Sequence, residues 1–213
     1  MAKADTAYTN IALPAHTDTT YFTDPAGLQA FHMLSHTALE GSPPTGGESL
    51  LVDGFHAAEI MRKEHKHEFQ VLKTCSVPWH ASGNQGVTIT PGVQECVIRS
   101  YATPKAESPI YRIKWNNDDR GVMRLTQNTR NVAAWYGAAR KFNDILKRTS
   151  SEYWFQLKPG RTLIFDNYRV LHGRSAFTGL RRMCGGYISR DDFVSRWRNT
   201  NFARDEVLAQ VLG

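Results

Sequence analysis

The segment Leu163-Ile164-Phe165-Asp166-Asn167-Tyr168-Arg169-Val170-Leu171-His172 consists of two short apolar runs separated by an Asp-Asn pair. Such runs, rich in branched and aromatic residues and broken by turn-forming residues, are typical of two β-strands joined by a tight turn. The second run ends at His172. A histidine at a strand end is well placed to face the mouth of a β-barrel, where ligand sites gather.

The segment His16-Thr17-Asp18, near the start of the chain, supplies a second imidazole and a carboxylate. With 8 histidines and 20 acidic residues in the chain, about one His-x-Asp/Glu triple is expected by chance, so the segment alone is a weak signal. Combined with His172, it completes the ligand set of a mononuclear non-haem iron(II) site with open coordination positions. Downstream, Arg181 carries a fork-shaped cation that suits the distal carboxylate of a dicarboxylic cosubstrate.

The composition is that of one globular domain, which we place at residues 1–213. No apolar run approaches the roughly 18 residues of a membrane span, so we expect no membrane partner. Residues 1–8 lack the apolar region of a signal peptide and the Arg-rich character of a transit peptide, so we expect no targeting signal. The three cysteines have no paired spacing, which indicates free thiols in a reducing compartment such as the cytoplasm.

The formal net charge of +6 is distributed among acidic residues and forms no long basic run. No nucleic-acid recognition motif accompanies it, so we expect no nucleic-acid partner. A modest positive field that attracts anionic cosubstrates explains the charge more simply.

The chain contains many short strand-like segments and one insertion of helices. Strand patterns cover 27–36, 47–52, 99–101, 111–115, 154–157, 162–166, 169–171 and 182–189. Asp53 is placed to cap a helix over 55–66, a second helix follows over 67–75, and 131–148 has the clearest amphipathic stripe. This order predicts a mainly β protein with inserted helices, built as a cupin-like jelly-roll barrel.

Four blocks of the sequence resemble the trimethyllysine dioxygenase family of iron(II)- and 2-oxoglutarate-dependent oxygenases. They are Ala-His-Thr-Asp-Thr-Thr-Tyr-Phe at 15–22, Gly-Gly-Glu-Ser-Leu-Leu-Val-Asp-Gly-Phe at 46–55, Asp-Asn-Tyr-Arg-Val-Leu-His-Gly at 166–173 and Arg-Met-Cys-Gly-Gly-Tyr-Ile-Ser-Arg-Asp-Asp at 182–192. The blocks keep the order and approximate spacing of the family over nearly the whole chain. The sister family is γ-butyrobetaine hydroxylase, and taurine dioxygenase is a more distant relative.

This resemblance implies a double-stranded β-helix with iron(II) at its open mouth, held by His16, Asp18 and His172. The cosubstrate 2-oxoglutarate would place its distal carboxylate on Arg181, and the spacing in similar families favours this residue over its neighbour Arg182. In similar oxygenases the serine after Gly-Gly-acid, here Ser49, donates its hydroxyl to the same cosubstrate. Ascorbate is the implied reductant.

The implied reaction is hydroxylation of N6-trimethyllysine at its third carbon, the first step of carnitine biosynthesis, with dioxygen as a further substrate. A quaternary ammonium offers no hydrogen-bond donor and is best recognised by aromatic rings. Tyr8, Tyr21 and Tyr187 match the cage positions of the sister hydroxylase, and Asn117 is placed to bind the amino-acid end of the substrate. A barrel-wall role for the tyrosines and a polar-turn role for Asn117 stay open.

Similar enzymes carry an upstream domain and further catalytic segments before the iron motif, whereas only 15 residues precede His16 here. We therefore expect a single, N-terminally truncated catalytic domain that lacks part of the barrel wall and of the cage. Two alternatives remain open, a γ-butyrobetaine hydroxylase-like enzyme and a catalytically incomplete cupin-like binding module. The resemblance also implies a mitochondrial compartment as the alternative to the cytoplasm, and it leaves a homodimer open.

Overall fold

The computed structural model describes residues 8–39, 41–102, 108–123 and 129–212. Residues 1–7, which include most of the segment expected to lack a targeting signal, lie outside this range. The strands are β1 (Leu13–His16), β2 (Leu28–Thr37), β3 (Ser49–Asp53), β4 (Ile98–Ser100), β5 (Ile110–Ile113), β6 (Glu152–Phe155), β7 (Thr162–Asp166), β8 (Val170–Arg174) and β9 (Leu180–Ile188). The helices are α1 (Gly54–Glu64), α2 (Lys66–Thr74), α3 (Thr129–Leu146), α4 (Arg190–Asn201) and α5 (Arg204–Leu212).

Two antiparallel sheets form the barrel, one with the order β1-β8-β3-β6 and the other with the order β7-β2-β9. The sheets face each other across His172 of β8, whose ring lies 5.4 Å from that of Phe31 in β2 and 5.0 Å from that of Phe165 in β7. A third pair, β4 and β5, forms a small separate sheet. The predicted mainly β jelly-roll with inserted helices, a double-stranded β-helix, is confirmed.

The apolar core lies between the helices and the outer face of the four-stranded sheet, not inside the barrel. Leu50, Val52 and Leu171 point outward from β3 and β8 and pack with buried side chains of α1 and α3, such as Met61 and Phe142. Because side chains alternate along a strand, the neighbours of these residues point into the barrel. Burial of each such side chain contributes about 1.5–3 kcal/mol, so the helix layer stabilises the sheet. The barrel interior holds polar groups such as His172 beside the apolar rings of Phe31 and Phe165.

The start of α1 follows the sequence prediction. The Asp53 carboxylate accepts hydrogen bonds from the backbone N–H groups of Phe55 and His56, at 3.0 and 3.2 Å. The same carboxylate pairs with Arg169 at 2.6 Å, which connects the helix to the turn before β8. In α3 the predicted apolar stripe is buried at Trp135 and Phe142.

Three elements were not predicted, namely β1, α4 and α5. Strand β1 has only four residues, and α4 buries none of its side chains. An amphipathic stripe marks a helix only when one face is buried, so α4 gives no periodic signal. None of the helices among the described residues has the length and apolar character needed to cross a membrane.

Candidate metal centre

Three side chains converge at the mouth of the barrel. The nearest Asp18 oxygen, Oδ1, lies 3.3 Å from His16 Nε2 and 3.7 Å from His172 Nε2. One ligand atom from each of the three residues lies within 4.8 Å of the others. The structure therefore brings together the two imidazoles and the carboxylate that the sequence suggested.

Strand pairing explains why residues so distant in sequence meet. Strands β1 and β8 run antiparallel, and their register places His16 directly opposite His172. Directly opposite residues point to the same face of a sheet, and the two imidazole centroids are 4.4 Å apart. His16 Nδ1 donates to the Pro14 carbonyl at 2.8 Å, which leaves the Nε2 lone pair to face the site.

The charges of the three groups are coupled. Burial, and then the neighbouring His16, lower the pKa of His172 to about 3, so its imidazole is neutral at pH 7. Burial opposes the ionised form of Asp18, yet His172 and His16 hold the pKa of this carboxyl well below its usual range. Burial also opposes the charged form of His16, but the Asp18 carboxylate raises its pKa overall. A neutral buried imidazole beside a carboxylate is suited to binding a cation.

Asn167 fixes the loop that carries Asp18. Its side-chain oxygen accepts from the Asp18 backbone N–H at 2.9 Å, and its amide donates to the carbonyls of Asp18 at 3.1 Å and Ala26 at 2.9 Å. Asn167 itself lies in the turn between β7 and β8. From sequence this residue is recognisable only as a turn former, although its place in the Asp-Asn pair just before the second histidine was the available signal for a further role.

A second pair of hydrogen bonds holds the same loop at Thr17. The Trp115 carbonyl accepts from the Thr17 backbone N–H at 2.7 Å, and the Trp115 N–H donates to the Thr17 hydroxyl at 3.0 Å. Next to it, the buried Lys114 ammonium donates to the Phe22 carbonyl at 3.2 Å and to the Glu95 carboxylate at 2.7 Å. No local pattern in the sequence marks this buried ion pair, because the partners come from separate segments.

Two arginines line the barrel beside the triad. Arg174 lies two residues after His172 on the same face of β8, opposite Ser49 of β3. Arg181 of β9 is partly buried, whereas Arg182 is exposed. The guanidinium groups of Arg174 and Arg181 lie over the Phe177 ring, at 4.9 and 5.8 Å from its centre.

This pair of arginines forms a positively charged wall. Burial, and then the nearby Arg174, lower the pKa of Arg181 to about 10. Among the described residues no carboxylate pairs with Arg181, and its Nε is buried without a hydrogen-bond partner. Arg174 was not predicted as a site residue, although its two-residue spacing from His172 was the available signal.

The predicted substrate residues lie in different surroundings. Tyr187 is beside the triad, with its hydroxyl donating to Asp18 Oδ2 at 2.7 Å. The Tyr21 ring packs against Phe22, with 5.1 Å between the centroids. Tyr8 is 80% exposed and therefore does not form an enclosed cage wall. Asn117 is exposed in the turn after β5, and its substrate role, like those of the tyrosines, stays a prediction.

Fold and site together define the class of this protein, a double-stranded β-helix whose mouth carries a two-histidine, one-carboxylate cluster. The chain belongs to the family described as taurine catabolism dioxygenase TauD, TfdA family, which matches residues 1–187. A solved structure of asparagine oxygenase in complex with Fe(II), 3-hydroxyasparagine and succinate shares the fold, with a TM-score of 0.61 and 12% sequence identity. The match covers 85% of this chain and 51% of that one.

The chain is similar to several curated trimethyllysine dioxygenases. The protein from Neurospora crassa is 52% identical and matches 100% of this chain and 50% of its own length. The mitochondrial protein from Homo sapiens is 42% identical and matches 92% of this chain and 45% of its own length. The resemblance read from the sequence is thus confirmed, and the chain spans about half the length of these relatives.

Proposed function

We propose that this chain is the catalytic domain of an iron(II)- and 2-oxoglutarate-dependent dioxygenase that hydroxylates N6-trimethyllysine at its third carbon. The observation that carries the proposal is the convergence of His16 Nε2, His172 Nε2 and Asp18 Oδ1 beside the wall formed by Arg174 and Arg181. The names of the relatives supply the substrate.

The donor set fits iron(II) better than a structural zinc ion. Two imidazole nitrogens and one carboxylate oxygen, without a thiolate, form the facial triad of non-haem iron oxygenases, whereas structural zinc sites use four protein ligands and commonly cysteine. His16, Asp18 and His172 would hold the metal. Bound iron(II) supplies the coupling of 2-oxoglutarate decarboxylation by dioxygen to C–H hydroxylation, with one oxygen atom entering succinate and the other the product.

The arginine wall fits the dicarboxylic cosubstrate. Arg181 has an unpaired, buried Nε and no carboxylate partner among the described residues, so it would receive the distal carboxylate of 2-oxoglutarate. Arg174 adds a second positive charge on the same side, and Ser49 lies opposite it in the strand register. A low local dielectric strengthens such charge-assisted hydrogen bonds.

At the substrate end of the site, the proposed contact beside the triad is Tyr187, and the further predicted contacts are Tyr8, Tyr21 and Asn117. An aromatic ring attracts a quaternary ammonium without needing a hydrogen-bond donor. The relative from Homo sapiens is named as a mitochondrial protein, which favours that compartment over the cytoplasm. A homodimer, ascorbate as reductant, and the absence of nucleic-acid and membrane partners remain predictions.

A succinate assay tests the proposed function. The chain is reconstituted with iron(II) under anaerobic conditions and then given dioxygen, 2-oxoglutarate and either trimethyllysine or γ-butyrobetaine. We expect substrate-dependent succinate and hydroxytrimethyllysine with the first substrate. Turnover with γ-butyrobetaine alone would assign the chain to the sister activity, and iron binding without succinate formation would indicate a binding module.

A further inference from the structure

The carboxylate of Asp18 has two oxygens with different surroundings. Oδ1 faces the imidazoles of His16 and His172, at 3.3 and 3.7 Å. Oδ2 points the other way and accepts two hydrogen bonds, from Gln29 Nε2 at 2.5 Å and from the Tyr187 hydroxyl at 2.7 Å. The carboxylate is thus held by its outer oxygen while its inner oxygen faces the candidate metal position.

The two donors are direct neighbours across the second sheet. Gln29 of β2 and Tyr187 of β9 are paired residues in the antiparallel register, so their side chains leave the same face side by side. Asp18 comes from the loop that precedes β2. Two strands of one sheet therefore fix a carboxylate whose histidine partners belong to the other sheet.

Burial of the Gln29 side chain at this position is energetically unfavourable. It is 1% exposed, and its Oε1 is buried without a hydrogen-bond partner among the described residues. The amide orientation is nonetheless determined, because an ionised carboxylate accepts hydrogen bonds and only the NH₂ group of the amide can donate one. An apolar side chain would fill the same space without burying an unpaired oxygen. Packing therefore does not account for Gln29, whereas its bond to Asp18 does.

We propose that Gln29 and Tyr187 are positioning residues that hold Asp18 as a monodentate metal ligand, bound through one carboxylate oxygen. Two donors occupy the lone pairs of Oδ2, so only Oδ1 is presented to the metal. The terminal torsion of an aspartate is otherwise broad, and a carboxylate that turned to bind through both oxygens would take a coordination position needed by the cosubstrate or dioxygen. This inference rests on the proposed function, because it requires that the triad hold a metal.

Tyr187→Phe and Gln29→Met test the proposed positioning of Asp18 in the 213-residue chain, with cobalt(II) as the metal probe. Visible absorption of bound cobalt(II) reports its coordination, and titration gives the dissociation constant. Loss of a hydrogen bond to a metal ligand typically weakens metal binding by about 10- to 100-fold. We therefore expect each variant to bind cobalt(II) at least roughly tenfold more weakly than the wild type. The absorption spectrum of the bound cobalt(II) should also change. Tyr153→Phe is the matched control, because Tyr153 is also an exposed tyrosine on a strand, outside the site.

The melting temperature of the metal-free chain separates positioning from stability. The Tyr187 side chain is 57% exposed, so Tyr187→Phe should melt like the wild type while its cobalt(II) spectrum and affinity change. An unchanged cobalt(II) spectrum and affinity in Tyr187→Phe would contradict the proposed positioning role without contradicting the proposed metal site. A wild-type chain that binds no cobalt(II) would contradict both the positioning role and the proposed metal site. Tyr187→Phe alone decides the matter if Gln29→Met does not fold.

Discussion

Among single residues, His172 is buried and yet chemically suited to bind a metal. A buried imidazole is costly to protonate, which is why its pKa falls to about 3. A neutral imidazole keeps one nitrogen lone pair available for a cation throughout the physiological pH range. Phe31 and Phe165 contact the ring from the facing sheet, and these contacts restrict its orientation.

We predict that His172→Ala abolishes iron(II) binding and 2-oxoglutarate turnover together, because it removes one of the three proposed protein ligands. Equilibrium dialysis with iron(II) under anaerobic conditions measures the first effect, and succinate formation measures the second. His56→Ala, at an exposed position of α1, is the control and should behave as the wild type. Near-normal turnover in His172→Ala would remove this residue from the site.

Arg181 should bind the cosubstrate without affecting the metal. Arg181→Lys keeps the positive charge but loses the bidentate fork, so we predict a loss of about 1–3 kcal/mol in 2-oxoglutarate affinity, with iron(II) affinity unchanged. Arg182→Lys is the matched control, since Arg182 is the exposed neighbour on the same strand. If the control shows the loss and Arg181→Lys does not, the inner face of β9 has been assigned to the wrong residue.

At the scale of elements, Asp53 links the start of α1 to β8 through a cap and an ion pair. Burial opposes its ionised form, but hydrogen bonds from Arg169 and from the backbone N–H of His56 lower its pKa overall. The folded state therefore favours the carboxylate. The resulting stability is present above the ordinary carboxyl pKa of 3.8 and is lost as the pH falls through the lower folded value.

Asp53→Asn isolates the charge, because asparagine keeps a capping oxygen. At pH 7 we predict a loss of about 0.2–1 kcal/mol in unfolding free energy, as expected for an exposed ion pair, and Asp53→Ala should cost about 0.5–2 kcal/mol for the cap. Urea unfolding of wild type and Asp53→Asn between pH 7 and pH 3 measures the difference. It should shrink below pH 3.8, and a difference that stayed constant to pH 3 would contradict the assignment.

Prediction from sequence succeeded where a local pattern carries the information. Alternation and turn residues gave β2, β7 and β9, and the Asp53 cap and apolar stripe gave α1 and α3. His16, Asp18 and His172 were recognised because together they form a known ligand set, although the His-x-Asp triple alone is a weak signal. The roles of Asn167 and Gln29 were not recognised, because they depend on contacts with Asp18, which lies 149 residues from the first and 11 from the second. A polar side chain has no sequence pattern that names a distant partner.

At the scale of the whole molecule, the division between core and site follows from where apolar side chains lie. The helices cover one face of the four-stranded sheet and provide the packed core. The other face, with His172, Arg174 and Ser49, is thereby free to hold buried polar groups. These proposed metal and cosubstrate residues are consequently buried, whereas Tyr8 and Tyr187, two of the predicted substrate residues, are exposed.

This difference in enclosure predicts poor coupling between the two half-reactions in the 213-residue chain. Tyr8 and Tyr187 are 80% and 57% exposed, and a cation–π contact contributes only about 0.5–1 kcal/mol at an exposed ring, compared with about 2 kcal/mol when desolvated. Trimethyllysine should therefore bind weakly compared with 2-oxoglutarate, and the ratio of hydroxytrimethyllysine to succinate should lie below one. Raising the trimethyllysine concentration should increase that ratio, because it compensates for weak binding by mass action. A one-to-one ratio at substrate concentrations well below saturation would show that the cage is already complete and that exposure of these rings does not limit the reaction.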